Sequence, residues 1–210
     1  MAVVVIGGHS RSVGKTSVVA GLIAAMPERE WLAVKITQFG HGICSANGEA
    51  CDCVTADHAS AITEEHDRSG GTDTSRFLVA GAKRSLWVRT QQGFLAEAMP
   101  RLRERIAAAE NVIIESNSVM KFLRPDVYLS VLDLGTEDFK DSAKMFLDRA
   151  TAVVIHRSDR ESPAWQGVSL KPVAGKPVFA IEPPEYVTAE MVEFVREKMG
   201  GSVSGEQPIG

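Results

Sequence analysis

The chain has 210 residues, 44% of them hydrophobic and 24% charged, with a formal net charge of −4. That composition predicts a globular protein with one sizeable core and one domain. The acidic balance excludes general nucleic-acid affinity, which needs a basic face, and no apolar stretch is long enough to span a bilayer.

In chain order, the first run is AVVVI at 2–6. It has no basic segment before it and leads straight into glycines, so it reads as a buried strand and not as a signal peptide. The expected location is the cytoplasm. Further strands are expected over 31–36, 85–89, 111–115, 127–133, 152–157 and 177–182. Several are apolar on consecutive residues, as strands covered on both faces are. Helical patterns fall between them at about 15–26, 91–109, 138–148 and 188–199. This alternation predicts an α/β fold: a single-domain, doubly wound, mostly parallel sheet. The domain is expected over 1–200, with 201–210 a frayed tail. The stretch 38–72 fits no element and reads as a long cysteine-containing insertion loop, a kind of segment that is usually functional.

Gly7 to Ser17 reads GGHSRSVGKTS, directly after the first strand. A Gly-Lys-Thr between a buried strand and a helix points to a phosphate loop, because backbone N–H groups at a helix start cradle anions. The candidate nucleotide-binding residues are Gly8, Ser12, Val13, Gly14, Lys15, Thr16 and Ser17. Lys15 would reach the β- and γ-phosphates, and the Thr16 hydroxyl would hold Mg²⁺. The common spacing would put its first glycine at position 9, which is His9. Counted from Gly8 the loop is one residue longer than usual.

Glu115 ends the strand NVIIE, where a second Mg²⁺ contact or a water-orienting group belongs. Lys35 lies in the apolar strand VKITQFG, where it is costly to bury unless paired. Thr72 or Asp73 can cap a helix after GG, and Asp73 can turn toward Mg²⁺. Arg76, one turn on, can hold Asp73 or touch phosphate. The tetrapeptide HRSD ends the strand at 152–157. Its Asp159 would accept hydrogen bonds from a guanine, which adenine cannot offer, and so leans the reading toward GTP over ATP.

The long loop concentrates Cys44, Cys51 and Cys53 in ten residues, with His41 upstream and His58 and His66 downstream. Three thiolates and His41 would make a zinc site. The same thiolates could hold an iron–sulfur cluster, and reduced thiols are the third alternative. Zinc stands ahead of iron–sulfur.

The lengthened loop GHSRSVGKT resembles that of dethiobiotin synthetases and cobyrinic-acid amide synthases. Asp73, Thr74, Arg76, Ala80, Gly81 and Ala82 resemble the Asp-Ser/Thr-x-Arg…Ala-Gly-Ala segment of the MobB family, molybdopterin-guanine dinucleotide biosynthesis proteins in the same P-loop NTPase class. The resemblance is close only at these motifs. It departs at Ser116, where the families have a glycine after the glutamate. It implies a P-loop NTPase fold, nucleotide binding with Mg²⁺, catalytic or substrate-handling roles for Lys15, Lys35 and Glu115, a place in cofactor biosynthesis and a homodimer. An ATP-dependent ligase or amidase is the alternative activity, and a nucleotide-dependent adaptor is the alternative to turnover. The substrate and the partner stay unnamed.

Overall fold

A computed structural model describes residues 1–39, 60–160 and 162–200 of the chain. In chain order its strands are β1 (Ala2–Gly8), β2 (Leu32–Phe39), β3 (Ser60–Glu64), β4 (Arg84–Gln91), β5 (Asn111–Glu115), β6 (Val127–Leu132), β7 (Ala152–His156) and β8 (Val178–Ile181). The helices are α1 (Lys15–Ala25), α2 (Asp73–Val79), α3 (Leu95–Ala107), α4 (Asp141–Phe146) and α5 (Ala189–Gly200). All the strands join one sheet in the order β3-β4-β2-β5-β1-β6-β7-β8. Every pairing is parallel except that of β3 with β4. This is the doubly wound α/β architecture that the alternation of patterns predicts.

Successive strand residues point to opposite faces, and the inner strands are apolar on both. Val3, Val5, Val112 and Ile114 face one core, closed by Leu102 and Ile106 of α3 and Phe146 of α4. Val4, Ile6 and Ile113 face the other, closed by Val18, Leu22 and Ile23 of α1, Phe77 of α2 and Val195 of α5. The consecutive apolar residues of β1 and β5 follow from this double cover.

Three elements differ from the sequence expectation. The stretch 38–72 is not without structure: β2 runs on to Phe39, and Ser60–Glu64 forms the antiparallel edge strand β3. Its short, half-polar sequence SAITE carries no strong strand pattern, and β4 imposes the conformation. Arg84 Nε and Nη2 both reach the Glu64 carboxylate at 2.7 Å and pin that edge. The expected helix over 138–148 starts only at Asp141, because Asp138, Phe139 and Lys140 are engaged elsewhere, as described below. The helix expected from 91 starts at Leu95, since β4 uses Gln91 and Gly93 turns the chain with φ 90°.

Ile113 is fully buried at the sheet centre. Ile113→Ala is expected to lower unfolding stability by about 3 kcal/mol, the range for a large-to-small core change, measured by urea denaturation.

Candidate functional site

β1 lies between β5 and β6, where the strand order turns from one side of the sheet to the other. In open α/β sheets this switch point is where ligands bind, outside the carboxyl ends of the strands. The 9–14 loop follows β1, and α1 begins at Lys15 with Gly14 as its N-cap, at φ 81°. That left-handed backbone suits glycine, and a Cβ there would stand 2.5 Å from the Tyr186 ring. No side chain caps α1, so its first N–H groups are offered to a ligand. Val13 is buried, and its carbonyl accepts a hydrogen bond from His156 Nε2 at 3.0 Å. Ser12 is left-handed at φ 56°. Lys15 curls back over the loop and donates to the Ser10 carbonyl at 2.5 Å. Burial pushes its pKa down to about 8, against the opposing pull of Glu115.

His9 accounts for the lengthened loop. It is fully buried and packs against Phe139 and Trp165, with ring centroids 5.1 and 4.9 Å away. Its Nε2 accepts the Asp133 N–H at 3.0 Å, which leaves Nδ1–H to donate to the Asp138 carbonyl at 2.8 Å. The Lys140 N–H returns a bond to the His9 carbonyl at 2.7 Å, and Ser10 Oγ donates to Asp138 Oδ2 at 2.7 Å. His9, which stands where the common spacing has a glycine, therefore ties the glycine loop to the segment after β6. Burial holds the His9 pKa below its ordinary 6.5, and protonation would set two N–H groups against each other at Nε2.

On the other flank, Asn117 clamps the end of β1. Its Oδ1 accepts the Gly8 N–H and its Nδ2 donates to the Gly8 carbonyl, both at 2.9 Å. The approach is close enough that a Cβ on Gly7 would fall 2.2 Å from Asn117 Oδ1. Ser116, where the resembling families have glycine, causes no strain: among the described non-glycine residues only Ser12 and Glu30 have positive φ.

Glu115 is the centre of the site. Strand register sets it beside Lys35 of β2 and Ile6 of β1. It is 3% exposed, and its two oxygens take different partners. Oε2 accepts the Thr16 hydroxyl at 2.8 Å, while Oε1 contacts the Lys35 ammonium. Lys35 also meets Asp73 Oδ2 at 2.8 Å. Burial acts to lower the Lys35 pKa, but Glu115 and Asp73 outweigh it and hold it above its ordinary value. A lysine in an apolar strand run is thus paired, as its cost requires. Asp73 reaches the site because α2 starts there. Thr72, not Asp73, is the cap, accepting the Ser75 N–H at 3.1 Å. Glu65 braces the preceding turn through the N–H groups of His66 and Asp67 and the hydroxyls of Thr72 and Thr74. Arg76 bonds Ser17 Oγ at 3.0 Å and lies 3.9 Å from Asp73 Oδ1.

Sequence reasoning passed over Asn117, Asp138 and Lys140. Lys140 is half-buried. Desolvation, then the charge of Arg11, lowers its pKa, and Lys35 and Glu115 also act on it. The stretch holding Asp138 and Lys140 read as helix, which hid both. Asn117 sat in view beside Glu115, but nothing in the sequence indicates that it would fold back on Gly8.

Asp159 is exposed just past the end of β7. From the same tetrapeptide, His156 reaches the Val13 carbonyl in the glycine loop and Arg157 faces Glu182. Cys44, Cys51, Cys53, His41 and His58, the expected zinc or iron–sulfur donors and their neighbour, lie outside the described residues, and His66 is exposed. Among the described residues no group of three or more His, Cys, Asp or Glu side chains could hold a metal. No helix among them is long and apolar enough to cross a membrane.

No protein-family profile matches the chain, and no curated protein does. Among solved structures it is similar to LpxK from Aquifex aeolicus in complex with ATP, with 17% identity over 86% of this chain and a TM-score of 0.45. The match covers 53% of LpxK, so the chain spans about half the length of that protein. It is also similar to HypB from Helicobacter pylori in complex with nickel, with 16% identity over 98% of this chain and 91% of that one, at a TM-score of 0.47. Both likenesses are too distant to argue from, and the site's own geometry carries the reading that follows.

His9→Gln removes two buried hydrogen bonds and is expected to cost about 2 kcal/mol of stability at neutral pH. The lowered folded-state pKa means that the wild-type contribution is full above pH 6.5 and is lost as pH falls through the folded value. The gap between wild type and variant should therefore close on the acid side, in chemical denaturation repeated across pH.

Proposed function

We propose that this chain binds a nucleoside triphosphate with Mg²⁺ at the 8–17 loop and hydrolyses it. The observation that carries the reading is the pairing of Thr16 Oγ1 with the buried Glu115 carboxylate at 2.8 Å, directly at the open N-terminus of α1. A hydroxyl and a carboxylate at that spot are the donors a phosphate-bound Mg²⁺ needs from its protein. All the candidate donors are hard oxygens, and a cationic nitrogen already rests among them, so the set fits a hard cation. Thr16, Glu115 and Asp73 would hold Mg²⁺, which supplies charge neutralisation across the phosphates when bound. With so few protein carboxylates, phosphate oxygens and water would complete its shell.

The chain's own residues do the rest. The uncapped N–H groups of α1 and the Lys15 ammonium bind the phosphate oxygens, and Lys15 exchanges the Ser10 carbonyl for them. Asn117 and His9 hold the loop from both flanks, so its donors are oriented before the nucleotide arrives. Glu115, with Thr16 on one oxygen, can orient an attacking water. No covalent nucleophile is needed.

Within this class the MobB-like assignment, with a role in cofactor biosynthesis, is supported by Asp73 at the head of α2. The nucleotide is GTP or ATP, and Asp159 tilts the choice toward GTP. A second activity, ATP-dependent activation of a carboxylate or carbamate, is favoured by Lys35 standing beside Glu115 within reach of a bound reactant. Phosphate release that depends on an added small acid would mark that activity. Tight binding with almost no release would mark an adaptor.

The test is direct binding of GTP and of ATP, each with Mg²⁺, to the wild type and to Lys15→Ala. The variant should bind about 10- to 100-fold more weakly, the loss of one hydrogen-bonded charge contact, with its fold intact by circular dichroism. Equal affinity of the two proteins would overturn the site. In Asp159→Ala the GTP preference should narrow while ATP binding holds.

A further inference from the structure

The Lys35 ammonium occupies a particular place. It contacts Glu115 Oε1, lies 2.8 Å from Asp73 Oδ2 and lies 3.5 Å from Thr16 Oγ1. These oxygens come from β5, α2 and α1, and they are the ones assigned above to Mg²⁺. We infer that Lys35 and the divalent cation are alternative occupants of one oxygen cage, so that metal loading releases Lys35 from it. This rests on the proposed nucleotide site and adds a step to it: the cation does not enter an open position but exchanges with a charged side chain.

A buried carboxylate needs a counter-ion, and Glu115 at 3% exposure has Lys35 as its charged partner. A divalent ion on Thr16 and Glu115 would serve as that counter-ion, and an ammonium left in place beside it would face strong like-charge repulsion at low local dielectric. Lys35 is also able to leave. Its anchor is the strand β2, its side chain is 18% exposed, and the Asp73 carboxylate on its outer side is 42% exposed. A four-carbon stem can swing its head several ångströms without moving the strand. Once displaced, the ammonium goes to the nearest anionic oxygens, those of the bound polyphosphate. Lys35 thereby becomes a positioning residue whose arrival at the phosphates depends on the metal. Metal-free nucleotide leaves it on Glu115.

The test needs no nucleotide in its first arm. Thermal unfolding is followed with and without millimolar Mg²⁺ in wild type, Lys35→Met and the double variant Lys35→Met/Glu115→Gln. Wild type should be unmoved by Mg²⁺, because the ammonium holds the cage. Lys35→Met should melt lower and recover most of the loss with Mg²⁺, while the double variant should show no recovery. If Lys35→Met does not fold, Lys35→Gln, which keeps a hydrogen bond to Glu115, takes its place. Failure of Mg²⁺ to raise the single variant overturns the exchange, as does an equal rise in wild type.

The second arm follows the Lys35 side-chain resonance by NMR in labelled wild-type protein with a non-hydrolysable triphosphate analogue. The resonance should stay put when the metal-free analogue binds and shift when Mg²⁺ is added. A shift on the metal-free analogue alone overturns the exchange. If no nucleotide binds at all, the proposed function fails, and the melting arm still decides whether metal and ammonium share the cage.

Discussion

The carboxyl edge of this sheet depends on one buried carboxylate. Glu115 ends β5 between β1 and β2, in register with Ile6 on one side and Lys35 on the other. A charge at 3% exposure persists only if it is neutralised and its lone pairs are used. Both conditions are met, by Lys35 on one oxygen and Thr16 on the other. Those contacts draw together the start of α1, the middle of β2 and, through Asp73, the start of α2. The site is a consequence of satisfying that charge.

Rigidity around the glycine loop has a different origin. The loop is held by polar bonds from three directions: Asn117 at the Gly8 backbone, His156 at the Val13 carbonyl, and the segment after β6, through the His9 ring to Asp133 and Asp138 and through the His9 carbonyl to Lys140. Asn117 follows β5, His156 ends β7, and His9 belongs to the loop itself. The extra residue in the loop adds a buried aromatic anchor that a shorter loop would lack.

The inner strands were readable because burial on both faces demands consecutive apolar residues, and β1 and β5 show them. The glycine loop was readable because its chemistry is local: a strand, a left-handed Gly14 and a helix opening at Lys15 within a few residues. Lys35 was flagged by its cost, a cation in an apolar strand. Edge strand β3 and the late start of α4 were not readable. In both, contacts from distant chain overrode weak local preference: β4 and Arg84 for the one, the engagement of Asp138 and Lys140 by the glycine loop for the other.

Local pattern and composition were therefore sufficient for the fold class, for the glycine turn between β1 and α1, and for the suspicion attached to Lys35, Asp73 and Glu115. They could not say that these three side chains meet. That depends on sheet order, which sets β5 between β1 and β2 although 80 residues separate Lys35 from Glu115. Nor could they identify His9 and Asn117 as the loop's supports, since each acts on backbone brought near only by crossover connections. Pattern reports which face of an element is buried. Which residues share a site is decided by the register between strands, and that register forms only when the whole sheet does.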